Sequence, residues 1–244
     1  MSGPSQMKLG RRAIKTDSRT LRMSKYMTPV LPAPPASVDW SKKAAVLGMM
    51  LNDKLGDCTI AGCGHAIQVW SANSYQQITL PDTAILSAYE KWDGYNPADP
   101  STDQGGICLD VLNNWRQQGL ASHSLLGFAS ADYTNTIEIQ QSISLFGGVY
   151  CGMNFPNAAF NQQVWDVVAD DGGIAGGHCV YVPAYNATGP KAISWGTVYQ
   201  MTWAFWNKYF DESYSLLGFD WIGAKGSPDG FNLAQLQQDL AAIR

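Results

Sequence analysis

The helical pattern of this chain stops at Gly147-Gly148 and short β-prone segments follow, and that change of period limits the fold more than any other feature. Before it, residues 58–71 are mostly apolar around Ile60, Ala61, Gly64, Ile67 and Val69, with Asp57 at the N-cap position. This predicts a buried central helix. Leu109, Val111, Leu112 and Trp115 fall at helical spacing up to Gly119, and residues 136–146 repeat the pattern with Ile137, Ile139, Ile143 and Phe146. Both read as packed surface helices. After the switch, residues 149–153, 179–185 and 191–195 are β-prone and separated by Gly, Pro and Asn. The expectation is an α+β fold, with a helical part over about residues 50–146 facing a sheet-rich part over about 147–222 across a cleft.

The first 34 residues have a different character. Lys8, Arg11, Arg12, Lys15, Arg19, Arg22 and Lys25 stand against Asp17 alone in residues 1–25, so the rest of the chain keeps nine basic residues against nineteen acidic ones. A proline-dense stretch, residues 29–35, follows and cannot be helix or central strand. The reading is a basic, proline-rich arm over 1–34 and an acidic body over 35–244. Such an arm suits docking on an acidic neighbouring subunit, hence a homo-oligomer or larger assembly; its charge is too small, and the body too acidic, for nucleic acid to be the expected partner.

Cys58 follows a Gly-Asp turn and opens a helix. Helix N-terminal N–H groups and the macrodipole favour a thiolate, the form of cysteine that attacks a carbonyl. A free cysteine can equally be a small buried hydrophobe. The alternative weakens when the chain is read further: Pro35-Ala36-Ser37-Val38-Asp39-Trp40, then Cys58, Gly105-Gly106, Gly177-His178 and Ser194-Trp195-Gly196, in this order and at these separations, resemble the papain-like cysteine peptidases over roughly residues 35–222.

The resemblance implies a divergent member of bacterial or phage type that hydrolyses peptide or amide bonds in a peptide-like substrate without a cofactor or metal. Cys58 would be the nucleophile and His178 its base. Asn52 stands where the family has the oxyanion-hole glutamine and is one methylene shorter. Ser194 stands where the family has the asparagine that accepts the histidine N–H. Trp195 would shield that hydrogen bond, and Gly105, Gly106 and Gly177 would line the substrate groove. A related double-glycine leader peptidase or another papain-like amidase fits the same Cys-His order. Asn52 and Ser194 also keep open a non-enzymatic reading, in which the fold is an assembly module with the arm as tether. Only about 34 residues precede the matching region, so control by zymogen cleavage is not expected.

Other polar residues are assigned no chemistry. His65 reads as a satisfied core histidine and His123 as a loop residue, and Asp166, Asp170 and Asp171 lack the alternating spacing of a calcium loop. The aromatic run 202–210 reads as a helix packed on the sheet. Five cysteines without C-x-x-C pairing, Leu55 in place of the family's disulfide cysteine, and an N-terminus with neither a signal-like nor a membrane-spanning apolar run suggest a cytoplasmic protein with reduced thiols.

Overall fold

A computed structural model describes residues 7–243. Its first strand is the short β1 (Val38–Asp39); the first α-helix, α1 (Cys58–Ser74), follows, three residues longer than the sequence pattern suggests. α1 is buried on every side, which is why its apolar residues show no single stripe. It lies against the sheet on one side and against later helices on the other. Asp57 occupies the cap position, but its side chain bonds no helix N–H; its carboxyl turns instead to the Asn52 amide.

α2 (Asp82–Asp93) and α3 (Cys108–Gln118) flank α1, and α3 ends at Gly119 as its spacing indicates. β2 (Leu125–Ser130) then interrupts the helical part, and α4 (Thr136–Phe146) is capped by the Asn135 side chain on the Glu138 N–H. This strand lies within the 50–146 stretch expected to be helical; its backbone groups are paired by a strand about ninety residues later.

The sheet continues through β3 (Val149–Pro156), β4 (Val164–Trp165), β5 (Ile174–Tyr185), β6 (Pro190–Ser194), β7 (Thr197–Met201) and β8 (Phe210–Gly218), in the spatial order β2-β8-β3-β5-β6-β7-β4, with β1 on β5. The aromatic run forms α5 (Trp203–Tyr209), capped by Thr202. α6 (Phe219–Lys225) and α7 (Leu233–Ala242) return to the helical side. No helix is long and apolar enough to cross a membrane among the described residues.

The two parts meet at Trp70 of α1. It stacks on Trp115 of α3 at 5.8 Å, meets Tyr181 of β5 edge-on at 6.2 Å, and donates its indole N–H to the Phe146 carbonyl at 2.8 Å. A buried indole needs such an acceptor, and this one ties α1 to the end of α4.

The arm docks on the body of its own chain. Met23 and Tyr26 are buried in the common core, Tyr26 donates to Asp239 of α7, and Lys15 and Lys25 pair with Asp110 and Asp239. The basic arm therefore meets its acidic complement within the molecule.

Candidate active site

Cys58 is the first residue of α1, and its sulfur is buried against β5, where it accepts the Cys179 N–H at 3.4 Å. His178 lies one residue earlier on β5, opposite Met153 of β3. Its Nε2 is 2.6 Å from Ser194 Oγ. Its ring stacks on the Trp195 indole at 4.5 Å and 15°, with Phe155 edge-on at 5.7 Å.

Local backbone geometry brings Ser194 and Trp195 there. Ser194 pairs with Thr197, and the two residues between them, Trp195 and Gly196, have φ of 48° and 69°. Two left-handed residues make the tight hairpin turn whose twist suits antiparallel strands, and glycine takes the second position without strain. The turn folds Trp195 over the histidine. With Nε2–H donating to Ser194, Nδ1 is the nitrogen free to take a proton, and it has no hydrogen-bond partner among the described residues.

Asn52 is buried, and both hydrogens of its amide are committed, to the Leu55 carbonyl and to Asp57, each at 3.2 Å. It buttresses the turn before Cys58 and has no donor to spare for an oxyanion in this conformation. Burial pushes the Asp57 carboxyl well above the usual carboxylate range, and the Asn52 amide pulls the other way.

The arm runs between Gly106 and Gly177 and bonds to both. Gly106 donates to Gly10 O and accepts from the Arg12 N–H, both at 2.8 Å. Gly177 O accepts from Gly10 at 3.1 Å and Arg11 at 2.9 Å, and the Trp195 indole donates to Lys8 O at 3.1 Å. The approach leaves no room for side chains: a Cβ on Gly105 would sit 1.8 Å from Gly10 O, and one on Gly177 2.1 Å from Arg11 O.

With the groove filled, Cys58 and His178 are both neutral. Burial pushes the thiol up to about 12, opposed only in part by the Cys179 and Gly10 amides. Burial, with the Arg11 cation adding in the same sense, lowers His178 to about 3. No hydrogen bond joins the sulfur to the ring. His65 is a core residue bonded to Gln68 at 2.9 Å, and His123 meets Asp220 at 2.8 Å.

Two features escape a reading of the sequence. Asp103 accepts the Gly56 N–H at 2.9 Å and the Tyr89 hydroxyl at 2.6 Å, while that hydroxyl oxygen accepts the Gly105 N–H at 2.9 Å, so one carboxylate ties the turn before Cys58 to Gly105. Asp211 and Glu212 reach the groove from β8 and hold Arg11. Their only sequence signal is a pair of acids next to an aromatic run.

No protein-family model and no curated protein matches the chain. Solved structures do. Xylellain, a cysteine protease from Xylella fastidiosa, superposes with a TM-score of 0.68 at 12% identity, over 88% of this chain and 98% of that one. Procathepsin B S9 from Trypanosoma congolense gives 0.62 at 12% identity over 86% of each chain, and bromelain from Ananas comosus, with the E64 inhibitor, 0.52 at 14% over 75% and 98%. The chain has the papain-like α+β fold.

Proposed function

We propose that the chain hydrolyses peptide or amide bonds with Cys58 as nucleophile and His178 as base, and that the arm-filled groove is its latent form. The observation that carries this reading is the histidine: wedged between Ser194 and Trp195, with Nδ1 unbonded, beside a thiol at the head of a buried helix. A purely structural histidine at full burial would satisfy both nitrogens.

When the arm leaves, water reaches the pair and the Arg11 charge departs, so the thiol proton can pass to Nδ1. The thiolate attacks the carbonyl carbon, and the Cys58 N–H at the open head of α1 meets the developing oxyanion. Such a donor contributes about 2.7–4 kcal/mol. Asn52 would join it by giving up its bond to Asp57 or Leu55. His178 then returns the proton to the leaving amine, and water, deprotonated by the same nitrogen, releases the acyl group from sulfur.

The filled groove and the committed Asn52 favour a second reading, an inactive fold used in assembly. Alkylation of Cys58 by iodoacetamide across pH separates the two. The natural chain should react slowly throughout. Gly10→Val, whose Cβ would lie 1.8 Å from Gly56 O and so cannot seat the arm, should react fast well below the ordinary thiol pKa of about 8.5. Adding His178→Ala should abolish that gain. A Gly10→Val protein that reacts only near the ordinary thiol pKa, indifferent to His178, supports the assembly reading instead.

A further inference from the structure

We infer that the cavity between the arm and α3 is a binding site for a monocarboxylate on a short apolar stem, and that its occupant holds the arm on the body. The hold has a use only in the latent form proposed above, but the site itself stands on separate observations.

The arm turns at residues 17–20, where the Thr20 N–H donates to the Asp17 carbonyl at 2.9 Å, and Leu21 is then fixed to β2 by the Ser130 N–H on its carbonyl at 2.8 Å. Between this turn and α3 lies a cavity of about 180 Å³. Arg116 of α3 lines it with an Nε that is buried and has no hydrogen-bond partner among the described residues. The acids of the two facing elements are already committed, Asp110 of α3 to Lys15 and Asp17 of the arm to Arg19, each at 2.7 Å. A guanidinium N–H taken out of water without an acceptor is a standing cost, and an anion in the cavity removes it.

The rest of the lining selects among anions. Asp17 borders the same space with both oxygens on Arg19, at 3.0 Å from Nε and 2.7 Å from Nη2, so these two cancel and Arg116 is left as the one uncompensated charge of the lining. A dianion such as phosphate would bring a second charge to Asp17 with nothing to balance it. Phe128 of β2 and Leu240 of α7, 6% and 9% exposed, add an apolar wall that an inorganic ion cannot use. A carboxylate presents the planar pair of acceptors that a guanidinium edge takes bidentately, and its stem meets the apolar wall. Hydrolysis of a peptide bond releases a group of this kind at the new C-terminus; a free short-chain acid is the other source. Either touches the arm turn and α3 at once, and so ties one to the other.

The test uses the full chain. Millimolar isovalerate and N-acetylleucine, at constant pH and ionic strength, should each raise the melting temperature to a plateau and slow hydrogen exchange at residues 18–21. Neutral isovaleramide and inorganic phosphate should do neither. Arg116→Gln, whose cooperative melting in buffer certifies that it folds, should lose the response, and Arg116→Lys should keep a weaker one. In Arg11→Ala, which frees the arm from the β8 acids, saturating carboxylate should slow Cys58 alkylation by about fivefold or more. A larger effect of N-acetylleucine assigns the ligand to a peptide's new C-terminus and a larger effect of isovalerate to a free acid; both uphold the site. No rise, a rise that persists in Arg116→Gln, or an equal rise with isovaleramide or phosphate overturns it. A rise without slower alkylation overturns the hold on the arm. A rise and a slowing that depend on Arg116, in a chain that cleaves no peptide, uphold the inference and sink only the peptidase reading.

Discussion

Ser194 shows how backbone geometry lets a short side chain reach a buried histidine. Its hydroxyl stands 2.6 Å from His178 because the Trp195-Gly196 turn draws β6 under the imidazole. Ser194→Ala leaves a buried N–H without an acceptor, so the protein should lose about 1–3 kcal/mol of stability by denaturant unfolding. In the Gly10→Val background, the pH at which Cys58 alkylation reaches half its maximum should move as well, since the imidazole loses the partner that fixes its proton on Nε2. Asp93 behaves differently. Burial raises its carboxyl to about 7, Arg12 opposing and Asp110 adding. Between its unfolded value near 3.8 and about 7 the folded state holds a proton that the unfolded state has lost, so its contribution to stability falls as pH rises through that window. Asp93→Asn should therefore gain roughly 2–4 kcal/mol relative to the natural chain from pH 4 to pH 8, read by urea melts at each pH. A constant difference would mean that Asp93 ionises normally. Of the site residues, Cys58, His178 and Ser194 were legible because each sits in a short phrase of its own. The commitment of Asn52 was not, since it depends on the burial of Asp57.

At the scale of elements, α3 and α4 were legible because each has an amphipathic face and a glycine at its end. β8 was not: Phe210 falls at the end of the aromatic run read as a helix, and Asp211 and Glu212 put two acids into an inner strand, where Arg11, about 200 residues earlier, supplies the countercharge. The path of the arm was hidden for the same reason. Residues 10–12 bond to Gly106 and Gly177, and Leu21, Tyr26 and Thr28 to Ser130, Asn232 and Gly230, all through backbone groups that leave no mark on side-chain pattern. Those bonds make it a separable element. Hydrogen exchange should find the Gly10, Arg11, Arg12 and Gly106 amides protected in the natural chain and exposed in Gly10→Val, while β5 residues 179–182 keep their protection in both. Equal loss along β5 would mean that the arm is part of the folding core rather than a plug on a finished groove.

For the whole molecule, the charge asymmetry between arm and body was visible in the sequence, but its meaning depends on where each pair lies. Lys15–Asp110 and Lys25–Asp239 are at the surface, with the lysine side chains 51% and 58% exposed, and pairs of that kind contribute about 0–1 kcal/mol and are screened by salt. Arg11 is different: its side chain is 3% exposed and meets its acids where ions do not penetrate. Raising salt from 50 mM to 500 mM should therefore speed hydrogen exchange over residues 13–20 while leaving Cys58 alkylation in the natural chain nearly unchanged. Arg11→Ala should do the reverse, speeding alkylation at both salt concentrations with little change in exchange at Met23 and Tyr26, which the hydrophobic core retains. If salt alone opens Cys58 to alkylation, the latency is held by long-range attraction between a basic arm and an acidic body. If it does not, the lock is one buried arginine, and what opens the groove must compete for its pocket.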